Sequence, residues 1–216
     1  RIDGVSLSGL VGVQKGGVDG AQLAILGAVA GDVVGWQGSG GLALARSLQG
    51  FQGAAAVSIV RGDADGVVGA GGASIATGNV DGLIGAAGAA IARDVEGALL
   101  AGGFTIGRDV AGMQAAAGVN VAYDVEGLQM TGGVNVAHDL SGLQMSPINI
   151  AHGRVDGLQL GVINIASEVH GASIGIINIA GNGHVQPSVW TSSELPLHTS
   201  VKFVAGYAYS ELGIGL

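Results

Sequence analysis

Val125-Glu-Gly-Leu-Gln-Met-Thr-Gly-Gly-Val-Asn-Val-Ala137 is followed by Leu140-Ser-Gly-Leu-Gln-Met-Ser-Pro-Ile-Asn-Ile-Ala151 and then by Val155-Asp-Gly-Leu-Gln-Leu-Gly-Val-Ile-Asn-Ile-Ala166. The shared pattern is V-x-G-h-Q-h-x-x-(x)-h-N-h-A, with h apolar and one optional residue. Each copy holds two apolar–polar–apolar triplets, such as Leu128-Gln129-Met130 and Val134-Asn135-Val136. Alternation of this kind marks strands, because successive side chains of a strand point to opposite faces. A helix would need apolar residues three and four apart, and each glycine would weaken it by about 1 kcal/mol. From glycine to asparagine is eight residues at Gly112 and Gly127 but seven at Gly142, Gly157 and Gly171. An insertion inside a continuous strand would exchange its two faces. The apolar pattern survives, so the middle of each copy must be a turn or bulge, as Gly132-Gly133 and Ser146-Pro147 suggest. The unit is strand, turn, strand, turn.

Outward from these copies the register covers most of the chain. A glycine column runs through Gly4, Gly20, Gly35, Gly50, Gly66, Gly82, Gly97, Gly112, Gly127, Gly142, Gly157 and Gly171, about twelve copies of a fifteen-residue unit. Two residues before nearly every glycine stands an aliphatic side chain, from Ile2 and Val18 to Val155 and Val169, with Ala64 the small exception. Two residues after it comes glutamine at positions 22, 37, 52, 114, 129, 144 and 159; Ser6 and Ser173 take that place in the first and last copies. A second polar column holds Asn120, Asn135, Asn149, Asn164 and Asn178, with Ser58, Ser74 and Thr105 in earlier copies. The glycines fit turns that need positive φ and close backbone packing. The repeat domain is therefore 1–183. From His184 the register stops, Pro187 and Pro196 enter, and His198 to Tyr209 reads as one longer strand opening a C-terminal β segment, 184–216. The chain opens at Arg1 without methionine and stops at Leu216 in what reads as mid-element. An upstream segment removed and a further domain following are the expectations.

Two architectures suit such a unit. One is a β-solenoid with copies stacked about 4.8 Å apart. The other is a closed ring of β-hairpins, a short wide barrel without free edges. Asp94, Asp109, Asp124 and Asp139 share one column, and stacking carboxylates at strand spacing is repulsive, although Arg93 and Arg108 beside them offset part of it. The later copies also carry more bulky aliphatic groups than a fifteen-residue coil can enclose. Both points favour the ring, with the solenoid as the alternative.

Composition narrows the function. Glycine fills 43 of 216 positions without the every-third spacing of collagen, and only 11% of residues are charged, which argues against disorder. A formal net charge of −8 with eight scattered basic residues argues against a nucleic-acid partner. Cysteine is absent, so there is neither disulfide nor thiolate metal site. No uninterrupted apolar run is long enough for a transmembrane helix, and no signal peptide is visible.

The clearest copies, Gly157-Leu-Gln-Leu-Gly-Val-Ile-Asn-Ile-Ala166 and Gly171-Ala-Ser-Ile-Gly-Ile-Ile-Asn-Ile-Ala180, resemble bacterial surface-repeat proteins whose copies read G-[LVF]-Q-[LIV]-G-[LVI]-[IV]-N-[IVY]-A. Residues 112–209 carry the resemblance well. It extends to a segment like Val189-Trp-Thr-Ser-Ser-Glu-Leu-Pro196 and a strand like Val201-Lys-Phe-Val-Ala-Gly-Tyr207. The first hundred residues match only in register. The resemblance implies a bacterial envelope, surface or outer-membrane setting and the short hairpin barrel called a β-flower. It implies no biochemical activity.

Gly171-Ala-Ser173-Ile-Gly175 matches the G-x-S-x-G of a nucleophile elbow, but no helix follows and Ser173 simply occupies the glutamine column. Nucleotide fingerprints are missing. His138 and His152 share a column with Arg93, Tyr123 and Ser167, which reads as a solvated turn; a metal would need a third ligand such as Asp139. A calcium loop would need more oxygen ligands per copy. No catalytic, cofactor or metal residue is therefore expected. The columns Gln114, Gln129, Gln144, Gln159 and Asn120, Asn135, Asn149, Asn164, Asn178 have two readings: amide ladders that pair buried polar groups, or the polar lumen of a pore whose aliphatic face meets lipid. Against the pore, few aromatics are available for interfacial girdles and each triplet is shorter than the roughly 9–11 residues that cross a bilayer. The expected function is a non-enzymatic structural or binding module of the bacterial envelope, with an apolar face for membrane lipid, a protein partner or self-association. A membrane-inserted pore is the alternative. An ice-binding solenoid, which would display regular threonines, and an enzyme rank below both.

Overall fold

The computed structural model describes residues 1–193 and 197–215; Pro196 and the end of the 189–196 segment, like residue 216, lie outside the described residues. The described residues form strands and turns with no helix. The chain divides into two compact units, Arg1–Ala122 and Tyr123–Leu216.

In the first unit every copy supplies one long and one short strand. Ala64–Ala70, Asn79–Ala86, Asp94–Ala101 and Asp109–Ala116 are long, and Ala73–Ala76, Ala89–Ile91, Phe104–Ile106 and Val119–Val121 are short. Each pairs in parallel with the equivalent strand of the next copy, in register. Gly66 faces Gly82, then Gly97, then Gly112, while Ser58 faces Ser74, Ala90, Thr105 and Asn120 in turn. The expected ring of antiparallel hairpins is therefore corrected: the copies are coils of a parallel β-solenoid, and no closed barrel forms.

Both arguments for the ring fail for identifiable reasons. The aspartates do stack, with Asp94 beside Asp109, but Arg108 Nη2 lies 2.9 Å from both Asp94 Oδ1 and Asp109 Oδ2. Arg93 Nε adds a contact to Asp94 at 3.5 Å, so the arginines offset the repulsion within the column. The bulky aliphatic groups are indeed too many to enclose. They are not enclosed; they point outward.

The glycine column is where coils touch. Eleven of its twelve members, Gly4 to Gly157, have φ between 112° and 153°, a region that side chains rarely enter. A Cβ at Gly82 would stand 2.1 Å from the Gly66 carbonyl oxygen, and one at Gly142 the same distance from that of Gly127. Only glycine allows coils to stack at this point.

The second unit continues the pattern with Asp124–Thr131, Val134–Ala137 and Asp139–Met145. Ile148–Leu160 then joins the short strand of one coil to the long strand of the next, with the register shifting between Ala151 and Arg154. After Ile177–Ala180 the architecture changes where the sequence register stops. His184–Trp190, His198–Ala205 and Ala208–Gly215 form an antiparallel sheet. The single strand expected from His198 to Tyr209 is thus two strands, bent at Gly206 with φ 61°. Their hairpin closes the last coil: Tyr207 N–H donates to Gly171 O at 2.8 Å and Asn178 Nδ2 to Ser210 Oγ at 2.9 Å.

Candidate functional site: an amide core inside an apolar surface

Inside each coil face four columns: the aliphatic residue before the glycine, the glutamine position, the asparagine position and the closing alanine. Val125, Gln129, Asn135 and Ala137 fill one coil, all essentially without solvent contact. Burying amides is costly unless they are paired. Here they are paired across the coil and between coils, with Gln37 Oε1 and Gln52 Oε1 as exceptions. Across the coil, Gln129 Nε2 donates to Val136 O at 3.1 Å, and Gln114 Nε2 to Val121 O at 3.0 Å in the first unit. Between coils, Gln159 Nε2 reaches Gln144 Oε1 at 2.8 Å and Gln144 Nε2 reaches Gln129 Oε1 at 2.7 Å. A parallel ladder links Asn135 to Asn149 at 3.1 Å, Asn149 to Asn164 at 2.9 Å and Asn164 to Asn178 at 2.7 Å. Of the two sequence readings, ladders describe these columns; the coil interior holds packed side chains where a lumen would be.

The same frame accepts an apolar filling. Val68, Ile84 and Leu99 occupy the glutamine column of three successive coils, fully buried. Volume is balanced locally. Where Leu99 enters, the closing alanine becomes Gly107, whose added Cβ would meet Val110 Cγ2 at 2.6 Å and Leu99 Cδ2 at 3.4 Å. Where Ala64 replaces valine, Val60 replaces alanine in the preceding coil.

The outward columns are aliphatic. Leu42, Phe104, Val119 and Ile106 on short strands, and Trp36, Val67 and Met130 on long strands, remain substantially exposed. Around Gly38 and Gly53, which lack the bulky outward side chains of other coils, a shallow concavity of about 690 Å³ opens between Leu7, Leu23, Ile25 and Phe51.

Charge is segregated. In residues 1–183 every Asp, Glu, Lys and Arg lies before the first column glycine or between the closing position of one copy and the glycine of the next; the ten or eleven residues from each glycine to its closing position carry none. All ionic contacts of the coils therefore run along one edge. Asp32 accepts from Arg46 Nε at 2.9 Å and from Ser47 Oγ at 2.7 Å. These bonds hold its carboxyl down at about 2. The Arg154 backbone N–H, 2.6 Å from Asp139 Oδ1, is the chief cause of a lowered Asp139 carboxyl. This block structure was present in the sequence, but periodicity of apolar residues does not reveal it; plotting charge against the glycine register does.

The sequence-derived motifs settle around this picture. Ser173 is buried in a strand and donates to Gln159 Oε1 at 3.0 Å, far from the exposed turn an elbow requires. His138 stacks on Tyr123 with centroids 4.6 Å apart on the charged edge. Asp124, His138 and Asp139 offer three ligand atoms within 4.8 Å of one another. They are solvated, Asp139 is already engaged by Arg154, and His138 Nδ1 lies 3.3 Å from Asp139 Oδ2. His152 is exposed on the same edge.

No known protein family, characterised protein or solved structure matches the chain.

Proposed function

We propose that the chain is a non-catalytic structural or binding module that attaches to an apolar surface, membrane lipid in the first place, through the uncharged side of its coils. The carrying observation is the charge segregation. A solenoid bathed in water on all sides has no reason to keep charge off both sheets and off one turn of every coil. The aliphatic outward columns supply apolar area that scales membrane-surface binding. The repeat's resemblance to bacterial surface-repeat proteins suggests the bacterial envelope as the setting. Filled coil interiors do not favour a pore.

Flotation of detergent-free protein with liposomes, with leakage of a trapped dye read in parallel, tests this reading. The chain is expected to float while the vesicles keep their dye. A monomer that stays at the bottom of the gradient contradicts it. Oligomers that form without lipid and do not float would instead support self-association through the same columns.

A further inference from the structure

We infer that the coils enter a membrane edge-on and to the depth of one leaflet, with the glycine column near the headgroups and the charged edge in water; this rests on the lipid-binding reading above. Four observations, present in each unit separately, lead there.

First, the turns opposite the charged edge carry large aliphatic side chains exposed to their surroundings. Leu10, Ile25 and Leu26 do so in the first unit, and Val162 and Ile176 in the second. Turn tips in water favour Gly, Asn, Asp and Ser. Elsewhere these tips are built from Gly and Ala, with Ser146-Pro147 in one coil, and none is charged.

Second, the backbone at the tips is bonded from coil to coil. Leu26 N–H donates to Leu10 O and Leu42 N–H to Leu26 O, both at 2.9 Å; Gly103 N–H donates to Gly88 O at 2.8 Å. In the second unit Val162 N–H donates to Pro147 O at 2.9 Å and Ile176 N–H to Val162 O at 3.0 Å. Hydrocarbon penalises unmade backbone bonds heavily, and this is the main bar to irregular chain in a bilayer. A stacked coil meets that requirement at its turns.

Third, the depth fits. Three or four residues separate each glycine from the tip turn, about 10–13 Å at roughly 3.3 Å per residue. Half of a hydrocarbon core of about 30 Å is close to this. The block is too short to cross.

Fourth, two outward faces and the edge joining them are apolar together. A flat protein partner or a second copy stacked on one sheet covers one face and leaves the other two surfaces wet. A fluid hydrocarbon covers all three.

The chain has no cysteine, so single-cysteine labelling reads depth cleanly. Gln49→Cys and Ala55→Cys lie on one coil, at its charged edge and its tip, both exposed. Ser141→Cys and Val162→Cys form an independent pair in the second unit, which serves if either first-unit variant misfolds by circular dichroism. Each carries an environment-sensitive fluorophore and is mixed with phosphatidylcholine vesicles containing quenchers at the headgroup or mid-chain, with iodide added to the water. Labels at 55 and 162 are expected to shift to the blue, lose most iodide quenching and respond to the mid-chain quencher. Labels at 49 and 141 should keep their iodide quenching. Floating protein whose tip and edge labels respond alike overturns edge-on insertion while leaving membrane binding intact. A tip label reached by iodide trapped inside the vesicles overturns the single-leaflet depth. Failure to float removes both the inference and the reading beneath it, so the two failures are distinguishable.

Discussion

The coils centred on Val68, Ile84 and Leu99 and those centred on Gln129, Gln144 and Gln159 use one backbone and fill it in opposite ways. The first group is dry, with serine, alanine and threonine in the asparagine column. The second is threaded by two amide ladders. Inward parity and the positive φ of the column glycine are common to both. A narrow coil therefore needs volume and satisfied bonds more than it needs hydrocarbon: burying an amide is tolerable once both its ends are bonded. What the two groups share, and what must specify the fold, is the glycine contact.

The largest expected effect tests that shared element. Gly82→Ala in the dry group and Gly142→Ala in the laddered group each place a methyl 2.1 Å from a carbonyl oxygen at φ 131° and 137°. Chemical denaturation should show losses of about 4 kcal/mol or more in both, the range of clashes that a packed frame cannot relax. Tolerance of either would break the claim of a common determinant.

Next in size is an interruption of the ladder. Asn149→Ala removes bonds to Asn135, Asn164, Ser146 and Leu160 and takes from the buried Asn164 Oδ1 its donor. A cost of about 2–4 kcal/mol is expected, from about 1–3 kcal/mol per stranded buried group. Thr105→Ala, which loses one hydroxyl bond to Asn120 Oδ1, should cost about 1 kcal/mol in the same assay. Equal costs would mean that the ladder is not a cooperative unit.

A gain is expected where the two fillings meet. Gln52 Nε2 donates to Ile59 O, but Gln52 Oε1 is buried and has no partner beside Val68. Val68→Gln would offer its Nε2 to that oxygen, in a coil whose asparagine position holds Ser74 just as that of Gln52 holds Ser58. A stabilisation of up to about 1 kcal/mol is predicted; a clear loss would show that the dry coils lack room for the amide.

The smallest effect belongs to the charged edge. Asp32 has a folded carboxyl value of about 2 against an ordinary 3.8, lowered chiefly by its bond to Arg46. A lowered acid contributes stability above 3.8 and loses it as pH falls towards 2. Because the pair is half exposed, the change should be slight and screened by salt. A titration of melting temperature between pH 5 and 2, compared with Arg46→Gln, measures it; a drop that persists in the variant would assign it to other carboxylates.

Much of this was legible in the residues. Alternation gave strands, the seven-or-eight spacing gave the mid-copy turn, and positive φ was expected of the glycines in turns, whereas Gly82, Gly97 and Gly112 adopt it inside the long strands. The outward direction of Val134, Val136 and Met130 was not legible. Alternation separates two faces of a strand without saying which is inside, and weighing the bulky groups against the volume of a coil treats them as enclosed. Ring and solenoid differ in contacts between copies, and one copy read alone does not contain them. The hairpin bend at Gly206 was hidden because Val201 to Tyr209 alternates loosely on both sides of it.

The central claim is that charge is compatible with one edge of the coil and incompatible with the outward aliphatic columns. Vesicle flotation of two variants with equal net charge tests it most directly. Gln49→Glu with Asn79→Glu adds two carboxylates on the charged edge, and Ile59→Glu with Ile91→Glu adds two on the outward face of the short strands. Both should remain folded by circular dichroism; the first should float like the parent and the second should stay at the bottom. Flotation of both, or of neither, would contradict the account.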